Sequence, residues 1–208
     1  MAWLVDDDVA GARVTAEEAI RGWSRAGALV HDWFGLTAAA QLDLYEGQGH
    51  SANALMSRGW PALKRSLILH LQLVRVEAHH LRGRCALAAA REDGAHAPDL
   101  LRHADRDAGR VLREKVPCSR PLVDLLRAGI AAARGELGVA ASRCAEAAAG
   151  FDAAGMALYA AAARRRRGQL VGGDEGRALV AAAEAWMLGQ RIKNPARWTA
   201  MLAPGFPD

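Results

Sequence analysis

Residues 122–155 read LVDLLRAGIAAARGELGVAASRCAEAAAGFDAAG, and the fold is decided here. Two runs rich in alanine and leucine are separated by Gly135, and the second run stops at Gly155. Alanine loses no side-chain entropy in a helix, whereas glycine readily takes the left-handed backbone that ends one. The spacing predicts a helix over Leu122–Arg134, a tight turn, and a partner helix from about Val139 to Ala154. A turn this short forces the two to lie antiparallel.

The same pattern extends in both directions. Towards the N-terminus, a helix to about Lys115 opens on Pro98, a residue welcome in a first turn, and Val116–Pro121 reads as a loop. Before it comes the longest predicted helix, about Leu67 to Arg91, closed by Glu92-Asp93-Gly94. Ser51 to Trp60 forms a further helix, ended by Pro61, which has no N–H to donate. Val30–Glu46 precedes it, and the first helix follows Asp6–Asp8, a run suited to cap a helix start. Towards the C-terminus, helices are expected over Met156–Gln169, from Asp174 to about Gln190, and from Asn194-Pro195 to Leu202. The helix-ending glycines Gly47, Gly94, Gly135 and Gly168 recur every ~33 to 47 residues, the range of helix-pair repeats. Ala147 and Phe151 carry the Ala-x3-Phe spacing of a tetratricopeptide second helix, where a small residue lets its partner approach.

Composition agrees. Among 208 residues, aromatics make up only 5%, and strand-forming residues never alternate over a useful length. The 27 Lys and Arg outnumber the 23 Asp and Glu by only four, and outside Arg164–Arg167 the charges are scattered, which argues against a dedicated nucleic-acid binder. Cys85, Cys118 and Cys144 are odd in number and far apart, as expected for reduced thiols in a cytoplasmic chain. No stretch approaches the ~20 apolar residues of a membrane span, and the start lacks a signal-peptide pattern.

Several residues could carry chemistry, and each also has a plainer role. Glu77, His79 and His80 suggest a helical metalloenzyme, but adjacent helical residues point ~100° apart and do not readily grip one ion. Glu17-Glu18 and Asp105/Asp107 fit solvated faces. Arg164, Arg165, Arg166 and Arg167 sweep ~300° of helix surface, so they form no single stripe. At least one of them must pack its stem and pair its head, while the cluster as a whole is the candidate for polyanion or nucleic-acid binding. Trp23, Trp33, Trp60 and Trp186 are expected in the core, and Trp3 and Trp198 near the two ends are candidates for an exposed interface.

Several further segments occur in a telling order. They are Trp60-Pro61-Ala62-Leu63, Val74-Arg75-Val76-Glu77, Arg82-Gly83-Arg84-Cys85-Ala86-Leu87-Ala88 and Leu158-Tyr159-Ala160. Gly173-Asp174-Glu175-Gly176-Arg177-Ala178-Leu179, Trp186-Met187 and Met201-Leu202-Ala203-Pro204-Gly205-Phe206 follow. Together they resemble the C-terminal tetratricopeptide-like region of large bacterial serine/threonine protein kinases and related multidomain regulators. That resemblance implies a tail that binds partners or positions a kinase. The kinase motifs themselves, a glycine-rich loop, His-Arg-Asp and Asp-Phe-Gly, are missing here, so no catalytic activity carries over.

The expectation is therefore an all-α domain over 1–208, with about nine or ten helices in antiparallel hairpins stacked as a tetratricopeptide-like right-handed superhelix. It would act as a protein-interaction or regulatory scaffold without cofactor or metal. The candidate surface comprises Trp3, Leu4, Val5, Arg164–Arg167 and Trp198. The N-terminal edge is expected to be apolar, exposed and available for self-association.

Overall fold

The computed structural model describes the backbone of residues 2–23 and 29–207, and the side chains of residues 4–18 and 33–207. Every regular element among them is helical. A single turn, α1 (Ala2–Val5), precedes α2 (Val9–Trp23), α3 (Leu29–Tyr45), α4 (Gly49–Arg65) and a 3₁₀ turn (Leu67–His70). Then come α5 (Gln72–Glu92), α6 (Ala97–Arg113), α7 (Ser119–Ala133) and α8 (Leu137–Ala153). The chain ends with α9 (Ala157–Val171), α10 (Gly173–Gly189) and α11 (Pro195–Leu202).

The central hairpin forms as its sequence demands. Gly135 and Gly155 take left-handed backbone, with φ of 80° and 70°, so α7, α8 and α9 reverse direction over three-residue turns. Ala140, Cys144, Ala147 and Phe151 recur at helical spacing on α8 and are buried. Asp8 caps α2 by accepting from the Gly11 N–H at 2.9 Å, and Asn194 caps α11 by accepting from that of Arg197 at 3.1 Å.

Three boundaries differ from expectation, each for a local reason. Proline does not end α4: Pro61 lies on its exposed side, and burial of Trp60 and Leu63 holds the last turn in place. The long helix predicted from Leu67 breaks at Leu71, whose ψ of 115° is extended, and Arg75 Nη1 donates to the freed Leu69 carbonyl at 2.7 Å. The loop expected over Val116–Pro121 is partly helix, because Pro121 falls in the first turn of α7, where no N–H is required.

Consecutive helices pack against one another from α2 to α10, and α5 also meets α3 and α7. The last helix breaks this order. It folds back onto α3 and α9, and its tail continues across α5 and α7. Trp198, Met201, Leu202 and Phe206 are buried there. A Cβ on Gly129 of α7 would come within 2.4 Å of the Pro204 carbonyl oxygen, so only glycine admits this crossing. The C-terminal end of α11 is thereby taken out of water, and its carbonyls need donors. Arg84 of α5 donates to Met201 O at 3.0 Å, Arg166 of α9 to Ala203 O at 3.0 Å, and Arg91 to Phe206 O. Cations at a helix C-terminus also oppose its partial negative charge.

The expected open edge at the N-terminus is not found at Leu4, which is buried; Val5 is half-buried. The C-terminal segment covers them. Trp198 Nε1 donates to Leu4 O at 3.1 Å, and the Lys193 N–H to Val5 O at 2.9 Å. Trp198 is a core residue for the same reason, and the side chains of Trp3 and Trp23 lie outside the described residues. The open end lies instead at α10, which packs almost entirely on α9. Its outer face carries exposed Ala178, Ala181, Ala182, Ala185 and Leu188, and Trp186, expected in the core, is partly exposed.

Candidate functional site

Asp107 organises the chemistry that the sequence concealed. Expected on a solvated face, it is fully buried, whereas Asp105 stays at the surface with Arg127. A buried carboxylate needs partners on both oxygens. Oδ1 accepts from His79 Nδ1 at 2.8 Å and from Arg110 Nη1 at 3.3 Å. Oδ2 accepts from Arg82 Nε at 2.8 Å and lies 3.3 Å from His103 Nε2. Burial by itself would push the carboxyl up. The hydrogen bonds from His103 and His79 and the Arg82 guanidinium outweigh it and hold Asp107 well below the usual carboxylate range.

Above this hub is an open pocket of about 480 Å³, lined by Trp60 and Lys64 of α4, Leu69 of the 3₁₀ turn, His79 and Arg82 of α5, and Arg110 of α6. It lies where α4 and α6 both pack on α5 with little direct contact between them. Arg82 lies 3.9 Å over the Trp60 ring, an arrangement that fixes a guanidinium without neutralising it. Desolvation lowers the Arg82 pKa and Asp107 opposes this, while the positive charges of Arg110 and Arg106 lower it further. Lys64 is exposed and has no ion pair among the described residues. Lys64, Arg82 and Arg110 thus bring three positive charges against the single negative charge of Asp107. The wall of this pocket suits an anion.

His79 and His80 part as helix geometry requires. His79 turns to Asp107 and the Trp60 ring, while the buried His80 ring sits 5.9 Å from Tyr159. Desolvation, reinforced by Arg84, drives the His80 pKa well below its ordinary value, so the ring is neutral at pH 7. Desolvation raises Glu77, opposed by Arg84 and a hydrogen bond from Trp33. No group of three or more metal-ligating side chains occurs among the described residues. Burial pushes the Cys85 and Cys144 thiols up to about 12, which leaves them protonated and inert.

The four consecutive arginines are dispersed. Arg164 pairs with Asp152, Arg165 with Glu184 at 2.8 Å, and Arg167 with Glu175 at 3.0 Å. Arg165 and Arg166 are buried, and Arg166 lies 5.0 Å over the Phe206 ring. They sit at least a turn before the end of their own helix, and Arg166 serves the C-terminus of α11 instead. No helix among the described residues is long and apolar enough to cross a membrane.

Compared with family models, curated proteins and solved structures, the chain matches none. The pocket was missed because its residues come from three helices, and the one local signal was His103, Asp107 and Arg110 at i, i+4 and i+7 on α6.

Proposed function

We propose that the chain is a protein-interaction or regulatory module whose partner docks on the outer cleft between α4 and α6. One observation carries this reading: three helices hold an open cationic pocket, walled by tryptophan, over a buried carboxylate that fixes its shape. Rigid helical positioning of a few polar groups in a concave site is how small recognition sites are built. The face used by the chain's own C-terminal segment is already filled by Trp198 to Phe206, which favours the outer cleft over that face. The resemblance to the helical region of bacterial signalling kinases and their tetratricopeptide-like repeats supplies a setting, in which such a module tethers or positions a regulator. The ion pairs within Arg164–Arg167 weigh against the polyanion reading, since those charges are answered internally.

A photo-crosslinking amino acid placed at Leu71, beside the cleft, tests the reading in cells that make the protein. A discrete protein adduct at Leu71 that is lost on the Lys64→Glu background supports it. An adduct unaffected by Lys64→Glu, or crosslinks confined to other faces, would count against it.

A further inference from the structure

The segment bordering the pocket is apolar where it should not be. Leu67 and Leu73 are each 75% exposed and Leu71 is 58% exposed, all within seven residues that also contain Leu69, one wall of the pocket. Single exposed leucines need no explanation, but three together beside a charged pocket mark a contact surface. The extended backbone of Leu71 holds the segment in this position, anchored by Arg75 to the Leu69 carbonyl and to Glu114 at 2.6 Å.

Resting on the module reading, we infer that this composite site takes an acidic linear peptide. A glutamate or aspartate carboxylate enters between Lys64, Arg82 and Arg110, and a neighbouring aliphatic side chain lies on Leu67, Leu71 and Leu73. The excess of positive charge in the pocket supplies the complementarity. Carboxylate is favoured over phosphate by the helix ends present. Lys64 and Arg110 stand in the last turns of α4 and α6, whose partial negative charge opposes a phosphate dianion more than a carboxylate monoanion, and none of the helix N-termini that serve phosphate belongs to the pocket lining. A concave pocket with a buried floor also differs from the flat basic surface that lies on a membrane.

The experiment is selection of a displayed random dodecapeptide library on the full chain, followed by direct affinity measurement of the selected peptides. Wild type is expected to enrich Asp or Glu next to Leu, Ile or Val. Changing the acidic residue to its amide should weaken binding at least tenfold, and both Leu71→Ser and the double variant Lys64→Glu/Arg110→Gln should do the same. Leu71 and Lys64 are exposed and Arg110 is half-buried, and an unchanged melting temperature verifies that the variants fold. A phosphoserine replacement that binds more than tenfold better would overturn the carboxylate assignment. Preference for phosphatidylglycerol vesicles without peptide enrichment would overturn the peptide. Peptides that lack acidic residues yet compete with the cellular crosslink at Leu71 would sink this inference and leave the module reading standing. Failure to enrich any peptide, with the crosslink intact, would likewise remove only the linear-peptide ligand.

Discussion

Trp198 donates its indole N–H to the carbonyl oxygen of Leu4, 194 positions earlier, at 3.1 Å. The bond joins the two ends of the described chain, and its surroundings are built around it. Tyr45 meets the Trp198 ring edge-on at 6.2 Å and donates to Asp7 at 2.7 Å, while Asn194 and Arg197 reach the same carboxylate at 3.1 Å. A helical stack ordinarily keeps its ends apart. Here the last helix brings them together and fills the space between α3 and α9.

Trp198→Ala should therefore behave as a core mutation. It removes a buried ring and leaves the Leu4 carbonyl without its donor, at a cost of about 3–5 kcal/mol. Trp198→Phe keeps most of the volume and should cost clearly less. Urea denaturation midpoints of the two variants give the comparison; equal and negligible losses would show that the two ends are not joined.

The arginine run should divide by burial and not by charge. Arg164 and Arg167 make exposed pairs, so alanine at either should shift stability by ~0.5 kcal/mol or less. Arg166→Ala strips a buried carbonyl of its donor and should cost about 2–3 kcal/mol. Thermal melts of the three variants decide, and a uniform response would contradict the dispersed arrangement.

Much of this fold was legible in the sequence because alanine-rich helices are separated by glycines, as at Gly135 and Gly155. Local signals also placed a cap within Asp6–Asp8, filled by Asp8, and a helix start at Asn194-Pro195, capped by Asn194. The destination of α11 was not legible, since folding back depends on Gly129, Arg84 and Arg166, each far from it along the chain. Asp107 misled for a related reason. A lone aspartate reads as surface unless one sees that α5 will bring His79 and Arg82 to it.

Mild acid should weaken the protein through His80. Its folded pKa is depressed by desolvation, so below about 6.5 the unfolded chain binds a proton that the folded one refuses. Stability is complete above the unfolded value and falls as the pH drops below it, at up to about 1.4 kcal/mol per pH unit. His80→Asn should flatten this slope between pH 6.5 and 5. Denaturation curves across that range, unchanged by the substitution, would refute the neutral buried ring.

Asp107 acts in the same direction at lower pH. Its folded pKa is depressed, so its contribution is present above the ordinary carboxylate value near 4 and is lost only as the pH falls towards its lower folded value. Asp107→Asn leaves Arg82 buried against a neutral amide, and a loss of about 3–5 kcal/mol at pH 7 is expected from chemical denaturation. A loss below ~0.5 kcal/mol would return this residue to the solvated face that its sequence suggested.

Native-state hydrogen exchange, read residue by residue on the full chain, tests the seated C-terminal segment most directly. The Trp198 and Ala203 amides, bonded to Asn194 and Thr199 at 3.2 and 2.8 Å, should be protected to the same extent as those of α7 and α9. Exchange of these amides within seconds, while α7 and α9 stay protected, would mean that the last helix does not occupy the space between α3 and α9.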